Sequence, residues 1–144
     1  MSDDSIGTVY LEDLETGMSR SITKVMDDAT IRAFAEISED HNPIHLDAAA
    51  GAASIFKQRI AHGMLVSSLF SALLGERLPG HGTIYLGQSL KFLAPVPLGS
   101  EVTATVTVTE IVTAKRRVTL ACEARVGETV VVTGDATVLA PTRG

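Results

Sequence analysis

This 144-residue chain has no tryptophan and only one cysteine. Cys122 alone cannot close an internal disulfide, which points to a reducing cytoplasm. Positive charge is also short: 12 Lys and Arg stand against 17 Asp and Glu, a formal net charge of -5. No cluster of basic residues alternates with aromatics, which argues against a nucleic-acid surface. Nor does any apolar run reach the ~18 residues needed to cross a bilayer. The amino terminus, MSDDSIG, is acidic where a signal peptide is basic and then apolar. No repeats, low-complexity segments or linkers break the chain. Its length fits one domain, residues 1–144, with room for a sizeable core.

What the chain does have is two periodicities. In DDATIRAFAEISE, residues 27–39, aspartates suited to capping precede Ile31, Phe34, Ala35 and Ile37 on one helical face. Pro43 disfavours helical geometry at Asn42, so this helix should stop near Glu39 and leave a loop up to His45. Asp47 can cap a short alanine-rich helix over 48–54. From Gly63, GMLVSSLFSALLGERL is apolar on nearly every face, the pattern of a helix covered all round.

Beyond residue 82 the period becomes two. Ile84, Leu86, Leu90 and Phe92 alternate, interrupted by Gln88, and so do Val102, Ala104, Val106 and Val108. Val118, Leu120, Cys122, Ala124 and Val126 follow, then Val130, Val132, Ala136 and Val138. Such alternation predicts antiparallel strands with one buried face, joined by short polar turns. A further short strand is possible at 18–24. Only the helix starting at Gly63 is apolar and long enough to cover that face. The expected fold class is α+β, a curved antiparallel sheet wrapped around one long buried helix.

The stretch SEDHNPIH, Ser38 to His45, carries the most chemistry. A carboxylate at Asp40 and an imidazole at His45 can share one water, as its addition or elimination requires. Equally, Asp40 can be a turn former and His45 a surface residue. A metal at Asp40, His41, His45 and His62 is weaker, because Pro43 prevents the helix on which such a histidine pair converges. Gly63 opens the long helix, where N–H groups lack intrahelical acceptors and a substrate carbonyl can approach. Glycine there can also simply ease a tight turn. Gly63, Ser67 and Ser71 form a small, weakly polar stripe that suits an acyl pocket or close strand packing. Gln88 needs hydrogen-bond partners if buried, either structural or on a ligand.

Together, FAEISEDHNPIHLD (34–47), IAHGMLVSSLFSALLGERLPG (60–80) and GTIYLGQSLKFLAPVPLGSEV (82–102) resemble the R-specific enoyl-CoA hydratases of the MaoC-like group. The resemblance covers most of the chain from residue 28 onward and implies the hotdog fold. The group's pattern has glycine before the aspartate and a small residue five or six positions past the histidine. Here Glu39 takes the first place, and Gly51-Ala52 the second.

The resemblance implies reversible hydration of a trans-2-enoyl-CoA to an (R)-3-hydroxyacyl-CoA. It makes Asp40 and His45 the hydration pair and the Gly63 amide the carbonyl polariser. Ser71 would stand beside the acyl chain, and Asn42 would order the catalytic loop on the substrate side. The acyl-CoA thioester is the substrate, no metal or other cofactor is required, and two copies pair their sheets edge to edge as a homodimer. Unprotected strand edges argue for that pairing independently. Lys57, Arg59 and Lys91 are candidates to meet the CoA phosphates, and Val66, Ser71 and Leu74 to limit acyl length. The R product suits polyhydroxyalkanoate monomer supply and also a branch of fatty-acid metabolism. Rival readings are a dehydratase acting on an acyl-carrier protein or a specialised hydroxyacyl-CoA, a thioesterase, and a non-catalytic acyl-CoA-binding partner subunit.

Overall fold

The change of period past residue 80 is a change from helices to sheet in the computed structural model, which describes residues 5–144. Residues 1–4, the start of the acidic MSDDSIG stretch weighed against a signal peptide, lie outside the described part. Strand β1 (Ser19–Val25) leads into α1 (Asp28–Ser38), α2 (Pro43–Leu46), α3 (Ala48–Ala53) and α4 (Gly63–Glu76). The remaining strands are β2 (Ile84–Gln88), β3 (Lys91–Phe92), β4 (Glu101–Val112), β5 (Arg117–Val126) and β6 (Thr129–Leu139). They form one antiparallel sheet in the order β1-β4-β5-β6-β2, with β3 also paired to β6.

The core follows from the alternation. Val102, Ala104, Val106 and Val108 of β4 are buried, as are Val118, Leu120, Cys122 and Ala124 of β5. They meet Leu65, Val66, Leu69, Phe70, Leu73 and Leu74 of α4. Each fully buried side chain of this size is worth about 1.5–3 kcal/mol, so the α4–sheet contact dominates the stability. An antiparallel sheet with one long helix packed against its inner face is the hotdog fold.

Three expectations need correction. Residues 43–46 are one turn of helix, not loop. Pro43 occupies its first position, where the missing N–H would have had no acceptor anyway. Only Asn42 is kept extended, at φ -55° and ψ 123°. Second, the 84–92 stretch is not an inward-facing strand. It bulges between Tyr85 and Gly87 at the sheet edge, and Ile84, Leu86 and Phe92 are exposed among the described residues. Gln88 is exposed too, bonded to Tyr85 and to the Ser89 carbonyl. Third, α4 is not covered all round. Met64, Ser68, Ser71 and Gly75, spaced as one helical face, are open.

Candidate active site

Each element of the site has a local cause. Asp27 caps α1 by accepting from the Thr30 N–H at 2.8 Å, and bonding to the Thr30 side chain and then its N–H holds the carboxyl below the usual range. The helix ends in a left-handed residue, Glu39 at φ 66°, which turns the chain sharply and delivers Asp40. The Asp40 Oδ1 accepts from the Asn42 N–H at 3.1 Å, and the Asn42 Oδ1 accepts from the Ile44 N–H at 3.3 Å. Asn42 therefore caps the turn that carries His45.

His45 is buried on that turn and held from three sides. Its Nδ1 bonds the Ile60 carbonyl at 2.7 Å, and a carbonyl only accepts, so the proton sits on Nδ1. With Nδ1 so engaged, Nε2 is the ring nitrogen left to accept a proton. The Ile60 N–H donates to the Ile44 carbonyl at 3.3 Å, and Arg59 Nε donates to the His45 carbonyl at 2.7 Å. Arg59 is anchored in turn by Asp28 at 2.7 Å.

Asp40, His45 and Gly63 line one cavity of about 460 Å³, with His62, Phe56, Met64, Val66, Phe92 and Val132 among its apolar and ring walls. Gly63 is the first residue of α4, and no side chain caps that end, leaving its N–H without an intrahelical acceptor. A Cβ on Gly63 would sit 2.6 Å from the exposed Phe92 ring, so a larger residue here would require that ring to move.

Two expected site residues lie elsewhere. Ser71 is on the exposed face of α4 and does not line this cavity. The stripe it was read on divides: Ser67 is buried and donates to the Gly63 carbonyl at 2.8 Å, whereas Ser71 faces out. Asn42 is exposed and acts on the backbone, away from the cavity wall. Of the length-limiting candidates Val66 is on the wall and Leu74 is not. Arg59 is committed to Asp28 and the His45 backbone, which removes it from the cations free to meet a CoA phosphate.

His62 does more in the site than its place in the weak metal set and before Gly63 suggests. Its ring is buried and stacks on His45 with centroids 3.9 Å apart and planes at 29°. Burial pushes its pKa down, against the pull of the Asp40 carbonyl that it contacts at 3.0 Å. One donor atom each from Asp40, His45 and His62 lie within 4.8 Å of one another. That is a metal-like set, but nearly parallel stacked rings direct their in-plane lone pairs side by side, and His45 Nδ1 is already engaged. His41 turns away to Glu36 and the Glu39 carbonyl, and the Glu36 bond raises its pKa.

A hotdog sheet with an aspartate, a histidine and an open helix start around one cavity defines a class of proteins acting on acyl thioesters. The MaoC like domain matches residues 9–132, and the chain belongs to that family. Among its relatives, the (R)-specific enoyl-CoA hydratase of Rhodospirillum rubrum is 48% identical over the full length of both chains. The solved (R)-hydratase of Aeromonas caviae, involved in PHA biosynthesis, superposes with a TM-score of 0.88 at 48% identity, covering 90% of this chain and 99% of that one. The unliganded R-hydratase of Pseudomonas aeruginosa superposes with a TM-score of 0.90 at 41% identity, covering 94% and 88%.

Proposed function

We propose that this protein is an (R)-specific enoyl-CoA hydratase, a lyase that reversibly adds water to a trans-2-enoyl-CoA. The observation that carries the reading is the convergence of Asp40, His45 and the start of α4 on one cavity. The substrate carbonyl accepts from the Gly63 N–H, which draws charge from C3. Asp40 accepts one O–H of a water, and the bare Nε2 of His45 accepts the other. As the hydroxide adds to C3, its proton passes to His45 Nε2. The resulting enolate takes that proton at C2, which returns His45 to its neutral form. The thioester itself supplies the activation, so the reaction calls for no metal or redox cofactor. Full-length identity with named hydratases supports the reaction class.

The protein works as a homodimer in the reducing cytoplasm. The lone Cys122 supports the compartment, and among the described residues no helix is long and apolar enough to cross a membrane. The exposed apolar residues Met64, Phe92 and Leu93 at the cavity, and Ile84 and Leu86 on the edge strand β2, support the dimer. Its product suits both polyhydroxyalkanoate synthesis and fatty-acid metabolism.

Crotonyl-CoA, followed by loss of enoyl-thioester absorbance with chiral analysis of the product, tests the reading. Asp40→Asn and His45→Gln should each remove nearly all turnover. Full activity in folded Asp40→Asn would exclude this mechanism, and an active monomer in light scattering would exclude the dimer.

A further inference from the structure

We infer that His62 is a positioning residue that locks Asp40, His45 and Gly63 into one arrangement through a hydrogen bond, a ring stack and a peptide bond. Residues 39–42 are otherwise held locally. Asp40 N–H donates to Ser38 Oγ at 3.1 Å, His41 reaches Glu36 and Glu39, and Asn42 N–H returns to Asp40. Among the described residues, the His62 Nε2 bond to the Asp40 carbonyl, at 3.0 Å, is the hydrogen bond that ties this exposed turn to the buried end of α4. Since the carbonyl only accepts, Nε2 carries the proton, and Nδ1 is left buried without a protein partner.

The second contact acts on the base. The His62 ring stacks on His45, and it also meets Phe34 in a tilted contact with ring centroids 4.9 Å apart. Phe34, on α1, thus packs against the same ring that stacks on His45. The third link is covalent, since Gly63 follows His62 directly. A shift of His62 would move the carboxylate, the imidazole and the amide relative to one another, and misplacements of about 1 Å cost on the order of 100-fold in rate. Because burial keeps His62 neutral, it adds no positive charge beside His45 when that ring takes the water proton.

This inference rests on the hydratase reading, which wild-type turnover of crotonyl-CoA and its loss in Asp40→Asn test separately. The two functions of His62 can be divided by substitution. Phe keeps a ring to stack but loses the donor. Gln places an amide N–H near the Nε2 position, and Asn is one methylene too short to do so. For His62→Phe, kcat per folded molecule should fall about 10- to 100-fold with KM within about twofold, and His62→Gln should recover about tenfold of that loss. A folded His62→Phe with wild-type kcat overturns the inference, as does a loss confined to KM, which would make His62 a substrate contact. If His62→Phe does not fold, the Gln and Asn variants decide: kcat must be about tenfold higher for Gln, and equal values overturn the inference.

Discussion

The Nδ1–H of His45 donates to the carbonyl of Ile60, fifteen residues along the chain, and this one bond leaves Nε2 as the nitrogen for the cavity. The segment that supplies the carbonyl is itself held against Gly51. A Cβ on Gly51 would fall 2.5 Å from the Arg59 backbone nitrogen and 2.7 Å from the Gln58 carbonyl carbon. This is the physical need for a small residue six positions past the histidine.

Gly51→Ala should therefore cost about 1–3 kcal/mol of stability by overpacking, and kcat should drop because residues 58–60 cannot yield without moving Ile60. Denaturant melts and crotonyl-CoA kinetics on one preparation check both. A variant with unchanged stability would remove the steric argument.

Glu39 closes α1 with φ 66° and ψ 13°, a conformation that strains any residue with a side chain. Glycine relieves the strain and returns some of the gain as extra freedom in the unfolded chain. Glu39→Gly should thus raise stability by roughly 0.5–1 kcal/mol, visible as a higher urea midpoint, with kcat preserved.

Arg59 and Asp28 act together on the turn that bears His45. Arg59 Nε holds the His45 carbonyl at 2.7 Å, and Arg32, also bound to Asp28, reaches the Leu46 carbonyl at 3.3 Å. The Arg59 bond, then that of Arg32, holds the Asp28 carboxyl below its usual range. Arg59→Ala should lose about 1.5–3 kcal/mol, the worth of a charged hydrogen bond, and should lower kcat more than it raises KM. A rise in KM alone would return Arg59 to the CoA phosphates.

Acid should weaken the fold through His62. Its pKa is about 6.5 when unfolded and lower in the native state, where burial penalises the charged ring. Below about pH 6.5 the unfolded chain binds the extra proton first, so stability falls as pH drops toward the native value and is fully present above 6.5. Melting curves from pH 7.5 to 5.5 should show this slope, and it should flatten in His62→Phe. An identical slope in that variant would assign the acid sensitivity to other groups.

Helices α1, α3 and α4 and the central strands were legible in the sequence because local rules govern them. An apolar period of 3.6 or 2, an aspartate cap and a proline act within a few residues, and α4 begins and ends at Gly63 and Glu76 as its pattern suggests. The same logic misread residues 84–92. Alternation says which side chains share a face, and only the sheet order says whether anything covers that face. It also treated the greasy α4 as covered on all sides, although Met64 and Ser71 face outward.

The candidate site divides in the same way. The sequence alone placed Asp40, His45 and Gly63 in motifs whose residue types match hydration chemistry, and its likeness to a family supplied their roles. Tertiary structure alone decided that His45 donates to Ile60, that Arg59 serves the His45 backbone, and that His62 lies between Asp40 and His45. Those contacts join segments 14 to 22 residues apart, so their geometry depends on how α1, α2 and α4 pack. Residue types and local periods are written in the chain, whereas proton positions and orienting partners arise only once distant backbone groups meet.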